Sequence, residues 1–156
     1  MTITYRSMLV LAVVSLSTGA GAAAQERMEA RIWDGPMNEF SKADGADPEL
    51  AANQDRITDS VWITRGNGGG QIFNIRAEER ASKGSSPAGT RWAVGTLDKL
   101  DSLSFTDFRS AVGRPRSVEG MDLVMHIVEE DIYLQLSFTQ WSEGRAGGFA
   151  YQRSTR

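Results

Sequence analysis

Along most of the chain, apolar side chains come in short runs that alternate with polar ones or are β-branched, and clusters of Gly, Asp, Asn and Pro separate the runs. A period of two broken by turn residues predicts strands. The pattern picks out nine: 29–33, 37–42, 60–65, 71–75, 91–95, 102–105, 121–128, 131–139 and 148–153. The single helical candidate is "TDFRSAVG", 106–113, which Thr106 would cap and Gly113 would end. No internal repeat points to a propeller or solenoid. The fold class read from this pattern is all-β: an antiparallel β-sandwich of jelly-roll type with about nine strands and at most one short helix.

Two hairpins can be registered from the pattern. In "HIVEEDIYLQLSFTQW", a two-residue turn at Glu129 and Glu130 sets Ile127 opposite Ile132, Met125 opposite Leu134 and Leu123 opposite Leu136, one continuous apolar face. The other face then pairs His126 with Tyr133 and Val124 with Gln135. The acids Glu129, Glu130 and Asp131 read as a solvated tip pointing away from His126, the only histidine in the chain. In "SVWITRGNGGGQIFNI", pairing Arg65 with Gln71 gives Ile63 opposite Phe73 and Val61 opposite Ile75, with Trp62 opposite Asn74 on the second face. The glycines between them, 66 and 68–70, permit positive φ.

The first residues follow a different rule. "MTITYRSMLVLAVVSLSTGAGAAAQ" has one base, an apolar run and then small residues, which is the form of a secretory signal peptide. Ala22 and Ala24 place the cleavage before Gln25, so that 1–24 is the leader and 25–156 a single β-sandwich domain. The strongly apolar part, 8–16, is about half of the ~20 residues a membrane span needs. With no cysteine, neither a thioether lipid anchor nor a disulfide framework is open to the chain. The expected location is periplasmic or extracellular, with no membrane anchor. Removing the leader leaves 16 Lys and Arg against 20 Asp and Glu, a net charge of −4 that disfavours a nucleic-acid partner. The segment "ASKGSSPAGT", 81–90, is flanked by strand patterns and reads as a long loop within that domain.

Candidate chemistry is sparse. One histidine cannot supply H-E-x-x-H, the absence of cysteine removes thiolate nucleophiles, and no Rossmann fingerprint or G-x-S-x-G elbow is present. The glycine-rich loop leads into Gln71 and a strand, so it is not a P-loop. Asp44, Asp47, Asn53, Asp55 and Asp59 cluster in one stretch and offer oxygen ligands of the kind calcium prefers, at a spacing unlike an EF-hand. The same residues make ordinary turns, and no metal site or cofactor is assigned. Among the tryptophans, Trp33, Trp92 and Trp141 read as core. Trp62 lies on the face opposite Val61 and Ile63, and with His126, Tyr133 and Gln135 it forms the candidate ligand-binding set.

The segments "IWDGP", "FSKADGADP", "NQDRITDSVWITRG", "QIFNI", "SSPAGTRWAVGT", "HIVEEDIYLQLSFTQW" and "GGFAYQRST", in this order, span most of 31–155. The chain thereby resembles an uncharacterised family of secreted bacterial β-sandwich domains marked by NQDRIT, VWITRG, DDIY-like and GGFxYxRST motifs. That resemblance implies a non-enzymatic β module of an exported or surface protein and carries no catalytic residues with it. Because the chain stops at Arg156, directly after the last motif, a free exported protein is the simplest expectation. The function expected is binding or structure outside the cytoplasm, on a glycan or protein partner. Two alternatives stay open: a calcium-dependent glycan-binding module, and a jelly-roll glycoside hydrolase working through two carboxyls.

Overall fold

The computed structural model describes residues 30–156, so the expected leader at 1–24 and residues 25–29 lie outside the described residues. Nine strands follow in order: β1 (Arg31–Trp33), β2 (Met37–Lys42), β3 (Asp55–Arg56), β4 (Trp62–Arg65), β5 (Ile72–Asn74), β6 (Thr90–Val94), β7 (Asp122–Ile127), β8 (Ile132–Trp141) and β9 (Phe149–Ser154). One short α-helix, α1 (Phe108–Val112), and three 3-10 turns complete the described elements. Six strands form the larger sheet in the order β2-β9-β8-β7-β6, with β1 added parallel to the start of β8. β3, β4 and β5 form the smaller one. The architecture is all-β, mostly antiparallel and sandwich-like.

The β7–β8 hairpin sets the centre of this arrangement. Its register is the expected one, Ile127 on Ile132, Met125 on Leu134 and Leu123 on Leu136. All six side chains are buried in the core, together with Ile63 and Ile72 from the smaller sheet. Burying side chains of this size is worth roughly 1.5–3 kcal/mol each, so a slip that turned them to solvent would forfeit most of the core. Trp92 on β6 meets Phe108 of α1 edge-on at 4.9 Å. Trp33 packs half-buried against the same cluster.

A β-bulge interrupts the pairing of β8 with β9 between Phe138 and Gln140. Simple alternation after Leu134, Leu136 and Phe138 would turn Gln140 inward and Trp141 out. The extra residue shifts the phase, so Gln140 is exposed and Trp141 pairs with Phe149 on the core side.

Polar atoms join the two sheets. Asp55 on β3 accepts from Arg153 Nε (2.6 Å) and Nη2 (2.9 Å) and from the Tyr151 hydroxyl (2.6 Å), both on β9. All three residues are buried. Burial works against the Arg153 charge, but the Asp55 bonds and charge outweigh it and hold the guanidinium pKa above its ordinary value. Burial, then the Asp55 charge, pushes the Tyr151 phenol well above its usual range.

Three expectations are corrected, and one strand is added. The β4–β5 pairing runs Ile63 to Asn74, Thr64 to Phe73 and Arg65 to Ile72, one residue from the register read from the pattern. Asn74 decides it: its Oδ1 accepts from Trp62 N (2.9 Å), and its Nδ2 donates to Ser60 O (2.8 Å) and Ala88 O (2.9 Å). Gln71 leaves the ladder because its amide donates instead to Ser82 O and Ser85 O in the long loop. Segment 102–105 is not a strand. Local turn bonds such as Lys99 N to Thr96 O wind 97–102 into a 3-10 turn, and only Thr106 pairs, bridging Trp92. That bridge also takes Thr106 away from the helix, which Asp107 caps instead, accepting from Ser110 N at 3.2 Å. Finally, β3 was not visible in the pattern, because its two residues, Asp55 and Arg56, are both charged.

Among the described residues no helix is long and apolar enough to cross a membrane.

Candidate functional site

The four residues singled out by the sequence do not converge. His126 and Tyr133 lie on the outer face of the larger sheet, their rings stacked at 4.1 Å and 3°. Phe105 meets both edge-on, at 5.9 and 5.5 Å. Gln135, on the same face, accepts from Leu97 N (3.0 Å) and donates to Gly95 O (3.3 Å), fixing the following turn onto the sheet. Trp62 stands on the smaller sheet, its indole donating to Thr58 O at 3.0 Å. Arg56 lies 4.1 Å and Arg76 5.5 Å from its ring centre. A sugar stacking on that ring must first displace the chain's own guanidinium groups.

The acidic tip also differs from expectation. Asp131 adopts φ 50°, which folds its carboxylate back to within 2.9 Å of His126 Nε2. Glu130 turns inward too, accepting from Ser60 Oγ at 2.6 Å, while its backbone oxygen takes two bonds from Arg31. Only Glu129 of the three is fully exposed. A histidine with an orienting carboxylate is half of an acid–base device, yet His126 lines none of the five principal cavities. Burial and then the Asp131 charge raise the Tyr133 pKa, so this phenol is not activated as a nucleophile. The cluster holds a turn and a covering loop in place.

The aspartates are spent in separate places. Asp44 accepts from Gly148 N (3.1 Å), Asp47 from Glu49 N (2.9 Å), and Asp55 holds Arg153. Asp59 borders a different cavity, beside Glu129 and Glu130. Among the described residues no group of three or more His, Cys, Asp or Glu is gathered as a metal site. In the groove beside Trp62, the Glu78 Oε2 atom accepts from Asn74 N (2.9 Å) and Ala88 N (2.8 Å), a structural use.

A different place collects charge. β4 ends at Arg65, which is 2% exposed although it carries a full charge. Its Nε donates to Gly70 O (3.1 Å) and its Nη1 to Ser142 O and Gly148 O (both 2.8 Å). The guanidinium lies over Trp141, 4.0 Å from the ring centre, in the position the β8 bulge gives that indole. Its Nη2 donates to nothing among the described residues. No carboxylate lies within ion-pair distance of Arg65 there. Burial draws its pKa down, and the more distant Asp44 charge partly offsets this.

Beside it Lys42, 1% exposed, donates Nζ to Asn67 Oδ1 (2.9 Å) and Gly147 O (3.1 Å). Burial and then the Arg65 charge lower its pKa as well. Gly147 has φ 78°, and a Cβ there would press on Gly66 O at 2.9 Å, so the loops at 66–70 and 142–148 touch through glycine. Arg65 borders a cavity of about 410 Å³ whose other walls carry Arg109 of α1, Arg114 and Arg116 of the following turn, and the acid Glu143. Four guanidinium groups thus face one carboxylate. None of the four forms an ion pair among the described residues. Such planar, fixed-charge donors suit a carboxylate, sulfate or phosphate.

Sequence reasoning missed this pocket. One signal was present: Arg109, Arg114 and Arg116 fall within eight positions with no acid between Phe108 and Val118, in a chain that is acidic overall. Comparison with family models, curated proteins and solved structures gives no match to the chain.

Proposed function

We propose that the chain is an exported binding module with no chemistry of its own, and that its ligand is an anion held in the arginine pocket. The observation that carries this reading is Arg65: buried, charged, fixed by three carbonyls and an indole, bordering the cavity and with one guanidinium nitrogen without a partner among the described residues. A buried cation without a counter-ion is costly, and a bound anion supplies what is missing. The lining pairs no nucleophile with a base, which favours binding over catalysis. The apolar, small-residue start of the chain supports export.

Two measurements test the reading. Mass spectrometry of protein recovered outside the cytoplasm is expected to give an N-terminus at Gln25, and retention of Met1 would overturn export. Titration calorimetry with galacturonate, sulfate and phosphate is expected to show binding by at least one of them that weakens with added salt. The exposed double variant Arg114→Glu/Arg116→Glu should weaken that binding by at least about tenfold, since it reverses two of the charges that face the anion. No binding by any of these anions, or equal binding by the variant, would end the anion-module reading.

A further inference from the structure

The arginine pocket does not end at Arg109. A second chamber of about 160 Å³ adjoins it, lined by Gly70, Gln71, Ala81, Lys83 and Arg109. Gly70 and Arg109 border both chambers. The cations therefore form a series: Arg114, Arg116 and Arg65 around the first, Arg109 between, Lys83 in the second. Lys83 is exposed and has no ion-pair partner among the described residues.

Gln71 is 3% exposed, and its amide nitrogen is taken up by Ser82 O and Ser85 O. Its Oε1 is buried and accepts nothing. An isolated small anion would satisfy one chamber and leave the other cations unused. What the two chambers call for together is negative charge at intervals.

Resting on the anion-binding reading above, we propose that the ligand is an acidic oligosaccharide, bearing carboxylates or sulfates, that runs through both chambers past Arg109. Its anionic groups meet the guanidinium groups and Lys83. The lining favours a sugar over an acidic peptide because nearly all its side-chain polar groups are donors. Sugar hydroxyls accept as well as donate, whereas peptide N–H groups need acceptors that are scarce here. The lining offers few apolar contacts, Pro115 and the mostly buried Trp141 chief among them.

Titration calorimetry on the mature chain tests this with galacturonate, tetragalacturonate, a sulfated heparin tetrasaccharide, a tetraglutamate peptide and a short oligothymidylate as probes. Either acidic tetrasaccharide is expected to bind at least about tenfold more tightly than galacturonate, because the second chamber engages a tethered group at high effective concentration. The better of the two identifies the anionic group. Lys83→Ala, an exposed change, should remove most of that gain. If galacturonate and both tetrasaccharides bind alike, or Lys83→Ala leaves the tetrasaccharide untouched, the two-chamber ligand is wrong while the anion pocket survives. Tighter binding by the peptide or the oligothymidylate overturns the sugar assignment. Silence from every probe, with sulfate and phosphate silent too, overturns the anion pocket as well.

Discussion

The β7–β8 and β4–β5 hairpins look alike in sequence, two apolar strands around a polar turn, yet one took the register its pattern dictates and the other did not. In β7–β8 the strand β8 alternates cleanly from Ile132 to Phe138, and the register that buries its apolar face sets Leu123, Met125 and Ile127 opposite Leu136, Leu134 and Ile132. In β5 the sequence Ile72, Phe73, Asn74, Ile75 places apolar residues at both phases, and burial leaves the choice open. Polar bonds then decide. Asn74 turns inward with Ile72, and Phe73 turns to the outer face, where it is still buried, beside Trp62 and Pro48 at the groove. Where the apolar pattern is degenerate, a single amide that satisfies several backbone groups can set the register.

That contrast can be broken most violently at Leu134. Leu134→Asp puts an unpaired charge in the core at a cost of several kcal/mol, against a typical total stability of ~5–15 kcal/mol. The domain is expected to lose its cooperative thermal transition, and a melt near the wild-type temperature would refute the apolar origin of the β7–β8 register.

A smaller effect is expected from Asn74→Ala. It strips partners from Trp62 N, Ser60 O and Ala88 O and should cost about 2–4 kcal/mol in urea unfolding, as buried unsatisfied backbone groups do. Were the loss no greater than for an exposed substitution, the polar origin of the β4–β5 register would fail.

The smallest effect is expected at His126, on the outer face of the first hairpin. His126→Gln gives up a part-exposed contact to Asp131 and a ring stack, and should cost about 1 kcal/mol with ligand binding unchanged. Loss of anion binding without loss of structure would make the outer face a functional surface after all.

Much of the scaffold was legible. Eight of the nine expected strands form, and the hairpin centred on Glu129 and Glu130 was read to the residue. Within the candidate site the position was reversed. Trp62, His126, Tyr133 and Gln135 stood out because aromatic and titratable residues are conspicuous in a sequence, and each proves engaged by neighbouring parts of the chain. Arg65 did not stand out, since an arginine before a glycine-rich loop reads as a solvated strand end. Asp131 was missed because a turn residue with positive φ can send its side chain back toward the strand.

By itself the sequence determined the alternating faces, the turns and the pairing at the centre of the larger sheet, because side-chain direction has a period of two and burial rewards only one phase of a clean pattern. Tertiary structure decided everything that depends on distant partners. The β8 bulge turned Trp141 inward, and Arg65 reached Ser142, 77 positions along the chain. Asp55 found Tyr151 and Arg153 across the sheets. Burial acts through the local repeat of the chain and is therefore written there. Hydrogen bonds and charge pairs require two groups to meet in space, and the order of residues does not record which two those will be.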